Sequence, residues 1–214
     1  MARPLKVEDH SIRRQAILEA AKACFARKGF HPTTTAEICS EAGISTGNLF
    51  HYFRSKKAII AAIVEQQGEE AKSHLAGLAD EPDLYEALHG FFDLVLAMAS
   101  ERDFANLALE VAAEASRDPD IGALVRHNDA LLREGLTVLA AGAIKRRQIM
   151  PGLDATQVAL GIAAMIDGLF ARVAIDPDFS VQGQRNTFVL MLERFLQPKA
   201  SDVSIEAALC DEAH

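Results

Sequence analysis

Tryptophan is absent, tyrosine stands only at Tyr52 and Tyr85, and no segment alternates apolar and polar residues for long enough to make a strand. The last absence excludes a sheet and leaves helices. Cysteine is equally sparse: Cys24, Cys39 and Cys210 show no CxxC spacing and, being three, cannot all pair internally, so reduced cytosolic thiols are expected rather than a disulfide framework. No charge-free run reaches the roughly 18 residues that span a bilayer. The longest cover 42–53 and 155–166, and residues 1–11 lack the apolar run of a signal peptide. The expectation is a cytoplasmic protein with no membrane partner. Catalytic signatures are missing too. There is no GxSxG elbow, P-loop or HExxH, Cys210 has no evident base, and only Glu86 to His89 has the Glu-x-x-His spacing that a di-iron bundle needs twice. No catalytic residue, metal site or cofactor is expected.

What is present is apolar and unevenly charged. Half of the 214 residues are hydrophobic, enough for a substantial core in one or two domains of a soluble helical protein. Through residue 60 there are ten Lys/Arg against five Asp/Glu, a net +5, so a whole-chain charge of −8 leaves −13 on the remainder. A basic head on an acidic body lets one end approach a polyanion while the rest is repelled.

Residues 34–57, TTAEICSEAGISTGNLFHYFRSKK, sit in that head and spell two short helices around a tight turn. Thr34 and Glu37 have capping-box spacing, Gly43 supplies a turn residue free to enter left-handed space, and Ser45 caps a second helix. Leu49 and Phe53, four apart, share its buried face. Thr46, Gly47, Asn48, Phe50, His51 and Tyr52 are left outward, and hydrogen-bonding, small or flat side chains of this kind meet phosphates and base edges. Ser55 caps the next helix and puts Lys56 and Lys57 in its first turn, where the dipole disfavours cations by a few tenths up to about 1 kcal/mol. A phosphate docked at that end would remove the conflict. Lys56 is therefore an expected phosphate contact, and Thr35, Thr46 and Tyr52 are expected to hold phosphates beside it, with Ser45 at the helix start; Thr35 and Thr46 could be structural caps alone, but the two roles are compatible and both are assigned. Lys22, Arg27 and Lys28 read as a solvated helix face, and Arg3 and Lys6 as either a frayed basic terminus or a minor-groove arm.

Helical period continues along the chain. Residues 11–28 end at Gly29, residues 56–78 at Glu81-Pro82, and further helices are expected over 83–100, 102–117, 120–148, 154–175 and 180–197, divided by Asp118-Pro119, Pro151-Gly152 and Asp176-Pro177. The fold expected is all-α with about nine helices. An N-terminal three-helix helix-turn-helix domain over 1–57 precedes a helical domain over 58–198, and 199–214 form a frayed tail.

The segment RRQAILEAAKACFARKGFHPTTTAEICSEAGISTGNLFHYFRSKKAIIAAIV, residues 13–64, resembles the DNA-binding domain of the TetR/AcrR group of bacterial transcriptional regulators, with cap, turn, second helix and Ser-Lys in order. LALEVAAEASRDPDI, residues 107–121, looks like the ligand-binding half of the choline-responsive branch. The resemblance implies a homodimer on a palindromic double-stranded DNA operator, with repression relieved by a small-molecule effector. Phe50 stands where that family more often has tyrosine, so a hydroxyl contact is missing there. A helical-bundle enzyme or a scaffold without DNA affinity is the alternative.

In the second domain Phe91, Phe92, Met98, Phe104, Leu107, Met165 and Phe170 carry enough apolar bulk to line an effector cavity, or else ordinary core. Glu110 and Glu114, one turn apart on an apolar helix, could hold a cationic effector if they face inward or form a solvated stripe if they do not. His127 and Asn128 are further polar candidates, so the expected effector is apolar or cationic. Gly161, Ala164 and Gly168, with Met191, Leu192 and Phe195, form either a four-helix dimer contact or an intrachain one.

Overall fold

The computed structural model describes residues 4–197, with the side chains of 4–9 left out. Arg3, the side chain of Lys6, Cys210 and the tail from 199 lie outside the described residues. Those described form nine helices and no strand: α1 (Pro4–Lys28), α2 (Thr35–Ala42), α3 (Thr46–Tyr52), α4 (Lys56–Leu78), α5 (Leu84–Ser100), α6 (Arg102–Ala115), α7 (Pro119–Lys145), α8 (Ala155–Ile175) and α9 (Val181–Leu196). The first starts earlier than the expected residue 11. Pro4 opens it, and proline is pre-organised for a first helical turn.

Local chemistry sets the ends. Gly29, at φ 84°, closes α1 with its N–H on the Phe25 carbonyl at 2.8 Å. The Thr34/Glu37 capping box opens α2, and Gly43, at φ 64°, ends it in left-handed backbone. Asp83, Asp118 and Ser180 cap α5, α7 and α9, while Asp154 and Gln157 form a second capping box at α8.

Two apolar cores result. One joins α1, α2, α3 and the first part of α4 around Phe25, Leu49 and Ile63, and takes in Leu107, Val111 and Ile121 from α6 and α7. The other, around Leu88, Phe92, Leu139 and Ile162, is built from α5, α7, α8 and α9 and takes in Leu75 from the far part of α4 and Ala105 from α6. The expected division between residues 57 and 58 thus falls inside α4, whose Ile59, Ile60 and Ile63 belong to the first core. A continuous helix shared by both cores ties the position of one to the other.

Three of the residues considered for a dimer contact, Gly161, Leu192 and Phe195, are used within the chain. A Cβ on Gly161 would lie 2.4 Å from the ring of Phe195, so the glycine admits an α9 side chain, and Leu192 is fully enclosed in the second core. Ala164, Gly168 and Met191 remain on the outside with Leu160. By length and composition α8 is long and apolar enough to cross a membrane, which counting charge-free runs had missed. It packs against α6 and α7, with Val158, Ile162 and Leu169 buried, as a core helix does.

Candidate nucleic-acid interface

Helix α3 has only seven residues, so its own hydrogen bonds contribute little, and its position comes from Leu49 and Phe53 packed beneath it. Ser45 Oγ accepts from the N–H of Asn48 at 3.3 Å. Thr46, Gly47, Phe50 and His51 are exposed and Asn48 and Tyr52 half-buried, the outward set expected from spacing. A Cβ on Gly47 would meet nothing within 4 Å, so backbone is presented directly to solvent there. Capping falls to Thr34 and Ser45; Thr35 and Thr46 are the first helical residues of α2 and α3.

The lysine pair departs from expectation. Lys56 Nζ donates to the carbonyls of Phe30, His31 and Thr33 at 2.5, 2.9 and 2.7 Å, and lies 4.5 Å from the centre of the Phe30 ring. An ammonium has three N–H donors, and all are occupied by the turn between α1 and α2. Lys56 is therefore a clamp within the head rather than a free cation for DNA, and burial pushes its pKa down. Lys57 reaches the other way, to Asp118 and Asp120 at the start of α7, each at 2.7 Å. Those carboxylates raise its pKa, and both lysines have internal anionic or carbonyl partners that resolve the dipole conflict without phosphate. Arg27 pairs with Glu41 at 2.7 Å, and Lys28 with Glu37. The bond from Lys28, then those from Thr34, bring the Glu37 carboxyl down to about 2.

Glu110 and Glu114 face the head, not an effector cavity. Glu110 Oε2 accepts the Phe30 N–H at 2.9 Å, and its carboxylate lies against Gly29. Glu114 is buried, with Oε2 3.0 Å from Nε2 of His31; the contact is one of distance, since that oxygen makes no hydrogen bond. The reason is helical phase. Leu107, Val111 and Glu114 lie on one stripe of α6, and the two apolar members pack into the first core. Leu107 is thus also removed from the effector set.

The other expected effector residues are not gathered either. Asn128 donates to the Val64 carbonyl at 2.6 Å over Gly68, and His127 is exposed. Phe92 is buried in the second core, and Phe104 packs on Phe170 with ring centres 5.5 Å apart. Met98 and Met165 are half-buried. Phe91 borders a cleft of about 420 Å³ lined also by His74, Leu78 and Leu94 and by the exposed Glu81, Asp83 and Glu86. Spacing along one helix could not reveal these contacts, and nothing local marks Asp118 or Asp120 as partners of Lys57.

Two family matches bear on this arrangement. Residues 17–63 match the family described as bacterial regulatory proteins, tetR family, and residues 84–197 match the BetI-type transcriptional repressor, C-terminal domain. The chain belongs to the TetR family. It is 31% identical over 179 residues to the HTH-type transcriptional regulator BetI of Yersinia pestis, covering 79% of this chain and 85% of that protein. To the HTH-type transcriptional regulator TtgR of Pseudomonas putida it is 30% identical over 187 residues, covering 83% and 87%. A structure of a transcriptional regulator from Saccharomonospora viridis in complex with choline superposes with a TM-score of 0.73 at 26% identity, covering 86% of this chain and 96% of that one. This TetR-family chain is therefore a transcriptional regulator with a helix-turn-helix DNA-binding domain, and its relatives are regulators rather than enzymes.

Proposed function

We propose that the protein is a homodimeric, effector-responsive repressor that reads a palindromic operator with α3 and acts in the cytoplasm. The observation that carries the reading is the outer face of α3, Thr46, Gly47, Asn48, Phe50, His51 and Tyr52, held on a buried footing of Leu49 and Phe53. In this reading Asn48 and His51 meet base edges in the major groove, and Thr35, Thr46 and Tyr52 meet phosphates. Ser45 Oγ accepts from Asn48, which leaves its O–H able to donate to the backbone of DNA. Residues 1–57 form the reading unit and 58–198 the effector and dimerisation unit, with α4 common to both.

A second copy would pack on the outer faces of α8 and α9, where Leu160 and Met191 are 57% and 48% exposed beside Ala164 and the open Gly168. A monomer would leave this apolar surface in water. The effector is a small cation with an apolar body. The choline complex of the relative supports that class, and the cleft bordered by Phe91 suits it, with apolar side chains and exposed carboxylates lining it.

Selection of operators from a random DNA pool tests the reading. Inverted repeats with half-site centres roughly 34 to 36 Å apart are expected, together with a dimer in sedimentation. Unrelated sequences, or a monomer, would overturn it. Choline titrated with and without the selected operator should bind more weakly in its presence, by the same factor as it weakens operator binding.

A further inference from the structure

We infer that His10 is a positioning residue of the DNA-reading surface: its imidazole, carried on α1, braces the Tyr52 ring and so fixes the end of α3. The inference rests on the reading that α3 meets the operator. The His10 ring centre lies 4.6 Å from that of Tyr52 with planes tilted by 40°, and 6.1 Å from that of His51 at 76°. His51 and Tyr52 are themselves 5.3 Å apart, edge to face. These separations fall within the range in which aromatic rings attract.

The brace answers a mechanical need. Tyr52 is the last residue of a seven-residue helix and only half-buried, and at Phe53 the backbone has already turned to extended geometry. So short a helix does not hold its own final side chain; packing from elsewhere does. One turn along α1 from His10, the guanidinium of Arg14 lies 5.2 Å from the centre of the Phe53 ring. His10 and Arg14 thus grip two consecutive residues, one on the DNA side and one beneath it. Arg14 works through a buried ring and serves the fold. His10 is itself exposed, so its grip on Tyr52 serves the orientation of an outward side chain rather than a core.

The test is operator binding by the full chain with His10→Ala, His10→Phe, Tyr52→Ala and the His10→Ala/Tyr52→Ala double variant, beside thermal unfolding of each. His10→Ala should weaken binding roughly three- to tenfold, a range set by the strength of one aromatic pair, and lower the unfolding midpoint by no more than the loss of that one pair would. His10→Phe, which keeps the ring and loses the N–H, should restore most of it. The double variant should bind no more weakly than Tyr52→Ala alone. Full affinity in His10→Ala, no rescue by phenylalanine, or losses that multiply in the double variant would each overturn the inference. Failure of the proposed function would look different: the unmodified chain would select no operator, and the inference would fall with it.

Discussion

The carboxylate of Glu110 accepts the backbone N–H of Phe30 at 2.9 Å, joining α6 to the turn after α1 across eighty residues of chain. The same turn offers its Phe30, His31 and Thr33 carbonyls to Lys56. A short connection in the head is thus held by an anion from one helix on its N–H and a cation from another on its oxygens. Any movement of α6 or α4 acts on that connection directly.

Glu110→Ala should leave the Phe30 N–H without its acceptor and cost about 1.5 to 3 kcal/mol, as hydrogen bonds to charged groups do. Glu110→Gln keeps an acceptor and should cost less. Hydrogen exchange at the Phe30 amide reports it: unchanged protection in the alanine variant would show that the bond holds nothing.

Lys56→Ala should act through stability. Three carbonyls lose their donor, so the unfolding midpoint falls, while the slope of log affinity against log salt stays that of the unmodified protein. A phosphate contact would instead flatten the slope by about one. Asn48→Ala is the contrast. It should leave the fold intact and relax preference at particular base pairs by about 1 to 3 kcal/mol.

The Glu37 carboxyl, held at about 2 by Lys28 and Thr34 against an ordinary 4.5, sets a pH window. Because the folded value is the lower one, its contribution to the α2 cap is fully present above about 4.5 and disappears as pH falls toward about 2. A carboxyl titration followed by NMR should give that midpoint, and Glu37→Gln should flatten the stability profile in this interval. A midpoint near 4.5 would remove the coupling.

Gly47→Ala separates fold from function. With nothing near the added Cβ and a better helix former in place, stability should rise by up to about 1 kcal/mol. Operator affinity should fall if DNA backbone closes on that residue. A variant both more stable and equally tight would place Gly47 away from the duplex.

The local signals were all legible in the sequence: the Thr34/Glu37 box, the left-handed Gly43, the Ser45 and Ser55 caps, and Leu49 with Phe53 beneath the outward set of α3. Each depends on residues within four positions of one another, where helical geometry fixes which groups meet. The fates of Lys56, Glu110, Glu114 and Asn128 depend on residues from 23 to 83 positions away, and tertiary packing alone decided them. Periodicity put Glu110 and Glu114 on one face of α6 but could not say what that face meets. Packing Leu107 and Val111 into the first core turned the carboxylates toward the α1–α2 turn, whose N–H and imidazole were the polar partners within reach. A charged group that leaves water settles where such partners stand, and where they stand is set by the fold as a whole.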